Sequence, residues 1–242
     1  FDYNTAVTLT ATPTTGSTFA GWSGGGCTGT TPCVAMMTTA ASVTATFTLT
    51  THTLAVMRMG NGMGTVTSSP AGINCGGDCT EAYDYNTEVT LSAMPTAGSI
   101  FTGWSGGGCS GTAPCDVTMT AAATVIATFT LTTPTLTIAK AGTGAGTVAA
   151  AGIDCGVDCS EAVAFGTAVL ITATPTAGST FTGWSGGSCS GTGTCVATVT
   201  AAVTITATFA LSSNTLTVSV GGTGQGTISG TGISCGLDCT ED

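Results

Sequence analysis

Gly103-Trp104-Ser105-Gly106-Gly107 decides how this chain is read, because it occurs three times, also as residues 21–25 and 183–187. The copies stand 82 and 80 residues apart, a period too long for a solenoid rung and suited to a small domain strung in series. Other stretches recur with it. Phe1-Asp2-Tyr3-Asn4-Thr5 returns as Tyr83-Asp84-Tyr85-Asn86-Thr87 and, more loosely, as Val163-Ala164-Phe165-Gly166-Thr167. Cys75-Gly76-Gly77-Asp78-Cys79 returns at 155–159 and at 235–239.

Within a unit the hydrophobic period is two. Val7, Leu9 and Ala11 alternate with Thr8 and Thr10; Val43, Ala45, Phe47 and Leu49 alternate with Thr44, Thr46 and Thr48; Leu216, Val218 and Val220 alternate with Thr217 and Ser219. Such alternation makes half-buried strands, and Thr suits the wet face because its branched Cβ fits the pleat. Gly62-Met63-Gly64, Gly144-Ala145-Gly146 and Gly224-Gln225-Gly226 separate strand-like runs as hairpin turns do. Pro13, Pro95 and Pro175 end strands. The expectation is an all-β unit of about six short strands, with no amphipathic helix. Its core is expected to hold Trp22, Phe101, Trp104, Phe129, Trp184 and Phe209. The competing use of such aromatics is a sugar-binding face.

Composition excludes several functions. The 242 residues carry 2 cations and 12 carboxylates, a net charge of −10. Nucleic acids and anionic membrane surfaces need clustered Lys and Arg, and Arg58 and Lys140 alone form no patch. Hydrophobic residues make up 42% of the chain, enough to bury a core. No run approaches the ~20 apolar residues that span a bilayer. Opening on Phe1 without a basic-then-apolar leader, the sequence reads as a mature product or a fragment.

The twelve Cys fall into two spacings. Cys27 and Cys33, Cys109 and Cys115, and Cys189 and Cys195 are six apart; Cys75 and Cys79, Cys155 and Cys159, and Cys235 and Cys239 are four apart. A Cys₄ metal site is one reading. Two disulfides per unit is the favoured one, since a small domain with a thin core gains from covalent closure in an oxidising compartment. Four Cys allow three connectivities; local pairing is expected because each pair brackets a Gly-rich turn. Asp78 with Glu81, Asp158 with Glu161 and Asp238 with Glu241 flank the second Cys of the shorter loops. Each pair is a candidate calcium site or solvated surface charge. No other cofactor is indicated. Catalysis is not expected: the sole His, His52, has Pro134 and Asn214 at its equivalents, and a nucleophile needs a base within reach.

Gly98-Ser99-Ile100-Phe101-Thr102-Gly103-Trp104, followed after the Cys loop by Val125-Ile126-Ala127-Thr128-Phe129, resembles the divergent internalin B-repeat family (the Listeria–Bacteroides repeat). Leu54-Ala55-Val56, Gly64-Thr65-Val66 and Tyr85-Asn86-Thr87 match that family's early strands. The resemblance implies small β-grasp-like units in bacterial surface proteins, used as spacer, stalk or adhesion module without catalysis. Two Cys pairs per unit and the near absence of Lys set this chain apart from better-known members.

Read by these repeats, residues 51–132 and 133–212 are whole units, 1–50 is the later part of one, and 213–242 is the first part of another. Asp242 read into Phe1 continues the repeat without a gap. The expectation is a subunit that completes itself head to tail, or a window of a longer array. The function expected is an extracellular bacterial filament or stalk whose partner is the chain itself. The alternatives are an adhesin or carbohydrate-binding module using Trp22, Trp104 and Trp184, and, more weakly, ice binding through Thr ranks. No N-x-S/T acceptor is present, and the Thr-rich faces leave O-glycosylation open.

Overall fold

A computed structural model describes residues 1–235 and 240–241, with side chains described through 233. The chain forms two compact units, Phe1–Thr132 and Thr133–Asp242. All regular structure among the described residues is β, and no helix long and apolar enough to cross a membrane occurs there.

The first unit opens with β1 (Ala6–Leu9), β2 (Ser17–Ser23), β3 (Cys33–Met36) and β4 (Thr44–Leu49). These form two antiparallel pairs, β1 with β3 and β2 with β4. A full repeat follows: β5 (Thr51–Met59), β6 (Gly64–Ser69), β7 (Thr80–Asp84), β8 (Glu88–Pro95), β9 (Ser99–Ser105), β10 (Cys115–Thr118) and β11 (Ala123–Leu131). It has two sheets, β10-β8-β6 and β7-β5-β11-β9. At the centre of the larger sheet β5 and β11, first and last in sequence, run parallel. Seven strands stand where about six were expected. The shortest of the larger sheet, β7, follows the Cys75–Cys79 loop and covers the edge of β5.

The second unit repeats the plan with β12 (Thr135–Gly142), β13 (Gly146–Ala150), β14 (Ile153–Asp154), β15 (Ser160–Ala162), β16 (Thr167–Pro175), β17 (Ser179–Ser185), β18 (Cys195–Val199) and β19 (Val203–Leu211). Its sheets are β15-β12-β19-β17 and β14-β13-β16-β18. Then come β20 (Leu216–Thr217), β21 (Ile228–Gly230), β22 (Ile233–Cys235) and β23 (Thr240–Glu241), paired β20 with β23 and β21 with β22.

The period-two pattern sets which side chains enter the core. In β11, Val125, Ala127 and Phe129 are buried while Thr124 faces out. They join Leu54 and Val56 of β5, Val66 of β6, Val89 and Leu91 of β8 and Val117 of β10 in one cluster fed by both sheets. Each fully buried side chain of this size contributes about 1.5–3 kcal/mol. The second unit builds the same cluster, with Phe209 in place of Phe129. Trp104, Phe129, Trp184 and Phe209 lie in the core, whereas Phe101 is only half-buried. Trp22 is half-buried as well, because its cluster is small: Cys27, Cys33 and Ala35, flanked by Leu9 and Val43.

Candidate functional site

The recurring Gly-Trp motif builds a joint between a bulged strand and a disulfide loop. Along β9 and β11, Phe101 faces Phe129 and Gly103 faces Thr128, so Thr102 is the extra residue of a β-bulge. Gly103 takes φ +148°, and a Cβ there would stand 3.1 Å from the Gly111 carbonyl oxygen, so the position favours Gly. The bulge brings the Trp104 backbone N–H onto the Gly111 carbonyl at 2.8 Å. The indole Nε1–H donates to the Ala113 carbonyl, also at 2.8 Å. Both acceptors lie in the loop that the Cys109–Cys115 disulfide closes. Trp22 repeats these bonds to Gly29 and Thr31, and Trp184 to Gly191 and Gly193. Phe101 meets the Trp104 ring edge-on at 4.8 Å between centroids and lies 5.4 Å from Phe129.

This geometry argues against a sugar-binding use of Trp104 and Trp184. Trp104 and Trp184 are 5% and 6% exposed, and each indole N–H is committed to its own loop. A sugar platform needs an open ring face, which these two residues lack.

A second recurring feature leaves no sign in the sequence beyond its glycines. Gly60, Gly62 and Gly64 do more than turn the chain between β5 and β6: they lie against the end of β11. A Cβ on Gly64 would fall within the Phe129 ring, and the Gly62 N–H donates to the Phe129 carbonyl at 3.0 Å. Asn61 Oδ1 accepts the Leu131 N–H at 3.1 Å, and the Arg58 guanidinium donates to the Gly64 carbonyl at 2.7 Å. Gly142, Gly144 and Gly146 treat Phe209 alike, with Thr143 in the place of Asn61 and Lys140 in that of Arg58. The two cations of the chain therefore fasten equivalent hairpins.

Each half of this contact occurs once more. Phe47, the counterpart of Phe129 and Phe209, is 45% exposed where they are 1% exposed. Gly222, Gly224 and Gly226, the counterparts of the hairpin glycines, have open space where a Cβ would stand.

Five disulfides join Cys27–Cys33, Cys75–Cys79, Cys109–Cys115, Cys155–Cys159 and Cys189–Cys195. The sixth expected pairing, of Cys235 with Cys239, is not among them. Cys239 lies outside the described residues, as does Asp238, and the side chains of Cys235 and Glu241 are not described. Asp78 and Asp158 act within their own turns, accepting the backbone N–H of Thr80 at 3.2 Å and of Ser160 at 3.0 Å. Glu81 Oε1 accepts the Ala82 N–H at 3.0 Å, and Glu161 lies beside Gly152. Among the described residues no three His, Cys, Asp or Glu side chains gather where they would hold a metal ion. His52 stands beside Tyr85, with ring centroids 6.1 Å apart.

The sequence matches the profile of the divergent InlB B-repeat domain three times, over residues 1–51, 56–133 and 136–213. No curated protein matches it. Among solved structures, the Bacillus anthracis TIE protein is 9% identical with a TM-score of 0.44, over 75% of this chain and 38% of that one. The major pilin protein T-13 of Streptococcus pyogenes is 11% identical with a TM-score of 0.32, over 67% of this chain and 97% of the pilin. The shaft pilin SpaA of Lactobacillus rhamnosus GG is 10% identical with a TM-score of 0.21, over 68% and 98%. The chain thus spans well under half the length of the TIE protein. Likenesses at this level say nothing of function.

Proposed function

The chain belongs to the divergent InlB B-repeat family, and on that premise we propose that it is a non-catalytic structural segment of an extracellular bacterial filament or stalk, its repeats joined head to tail. In both full repeats the recurring Trp and the last-strand Phe are spent on packing the core. Local disulfides in every full repeat suit an oxidising exterior.

One observation carries the head-to-tail part: the exposed Phe47 and the open glycines at 222, 224 and 226 are the two halves of a contact that is complete at Phe129 and at Phe209. In this proposal the hairpin beginning at Leu216 in one copy lies beside β4 of another. Its first strand would run parallel to β4, as β5 runs beside β11 and β12 beside β19. The register Ile138↔Ile205 and Gly142↔Phe209 transfers to Val218 opposite Val43 and Gly222 opposite Phe47. Strand addition of this kind covers an edge with main-chain hydrogen bonds. Donor and acceptor surfaces differ, so the contact is heterologous and grows an open filament.

Negative-stain electron microscopy of the oxidised full chain tests this, beside Gly226→Val. Position 226 is open within one copy, so the variant keeps its fold while its side chain collides with Phe47 of the next copy. Filaments from the unaltered chain and none from the variant are expected. Monomers from both, or filaments from both, would overturn the strand-addition proposal.

A further inference from the structure

Asn61-Gly62 is the sole Asn-Gly step in the sequence; the other four Asn precede Thr or Cys. Asn is a labile residue, and a following Gly makes it most so, because no side chain keeps the next amide nitrogen from the Asn Cγ. Once a solvent base has taken its proton, that nitrogen attacks Cγ, ammonia leaves and a five-membered imide forms. Water then opens the ring at either carbonyl. One product is Asp; the other is isoaspartate, whose main chain is longer by a methylene.

Asn61 is exposed in the hairpin between β5 and β6, where solvent base reaches it. What restrains the reaction is β11. Asn61 Oδ1 accepts the Leu131 N–H at 3.1 Å, and the Gly62 N–H donates to the Phe129 carbonyl at 3.0 Å. The attacking nitrogen thus keeps its proton on an acceptor, and the side chain it must reach is tied to the same strand. Both bonds have to break before the ring closes. The two products then meet different room. A Cβ on Gly62 would stand 2.6 Å from the Thr130 backbone nitrogen, and one on Gly60 would collide with the Phe129 carbonyl. A main chain lengthened between 61 and 62 runs into that backbone, whereas Asp keeps both the length and the acceptor oxygen.

We propose that Asn61 is a deamidation site gated by the contact of its hairpin with β11: closed while the contact holds, reactive when the hairpin lifts, and latched open by the isoaspartate product. Thr143 stands in the place of Asn61 in the third repeat and has no amide to lose, so that hairpin is held without the chemistry. Of the two full repeats, the one from Thr51 to Thr132 alone keeps a lasting record of having opened. The inference goes beyond the filament reading and needs only contacts inside one repeat.

The test holds the oxidised full chain at mildly alkaline pH and follows conversion at position 61 by peptide mapping. Folding is expected to slow conversion about tenfold or more relative to the same chain unfolded in urea, because reaction follows the open fraction. Gly64→Ala crowds Phe129 and should speed conversion in the folded chain about tenfold, as overpacking lifts the hairpin. Gly77→Ala, at an open position in the Cys75–Cys79 loop, should leave it unchanged. Urea below the unfolding midpoint gives the same reading without a substitution: conversion should rise in step with hydrogen exchange of the Gly62 and Leu131 amides. Conversion as fast in the folded chain as in the unfolded, or indifferent to the opening of those amides, would overturn the gate. The latch is read separately. In the isolated isoaspartate product the Leu131 amide should exchange quickly, whereas Asn61→Asp should protect it as the unaltered chain does. Equal protection in the two would overturn the latch.

Discussion

Gly64 and Trp104 show how the repeat spends its least replaceable residues. Gly64 sits where any side chain would enter the Phe129 ring, so Gly64→Ala should cost about 1–3 kcal/mol, as overpacking does. Gly77, in the Cys75–Cys79 loop, has nothing within 4 Å of where a Cβ would stand; Gly77→Ala should stay within about 0.5 kcal/mol. Urea melts of the two variants check the contrast, and equal costs would contradict the packing role. Trp104→Phe keeps most of the apolar bulk but loses the donor to the Ala113 carbonyl. It should lower stability by about 1 kcal/mol, and Trp104→Ala by about 3–5 kcal/mol. The Gly-Trp pair was legible as a motif from its three copies. Its purpose was not, because neither the bulge at Thr102 nor the indole bond nine residues away leaves a periodic mark in the sequence.

At the scale of elements, alternation of Thr with apolar residues was enough to place the strands, since a half-buried strand has only one period to offer. The outer face is used too: Thr18 and Thr48 join hydroxyls across β2 and β4 at 2.9 Å. What alternation could not reveal was the partner of each strand. β5 and β11 pair in parallel although nearly a whole repeat separates them, and hairpin rules speak only of sequence neighbours. The same blindness hid the hairpin glycines' contact with the last strand. The disulfide loops are short, with Cys109 and Cys115 six residues apart, so the loop-closure account limits each to about 2 kcal/mol. Cys109→Ala/Cys115→Ala should therefore lower the stability of its repeat by about that amount and leave the strands in place, as far-ultraviolet circular dichroism would report. Complete unfolding at room temperature would mean that the covalent loop organises the core.

For the whole molecule, three matches to one domain family and two sheets closing one core in each full repeat describe a chain that builds by repetition. Assembly by strand addition stands or falls on β4. Its pairing with β2 bonds only the amides on one edge of β4, and in a lone copy the other edge lacks, among the described strands, the parallel neighbour that β11 has in β5, so the β4 amides that point away from β2 should exchange with solvent quickly. Amide hydrogen exchange followed while the concentration of the oxidised chain is raised measures this directly. Strand addition predicts that β4 slows toward the protection of β11 and β19, together with the segment from Leu216. Rapid exchange in β4 at every concentration, with β11 and β19 protected throughout, would contradict it.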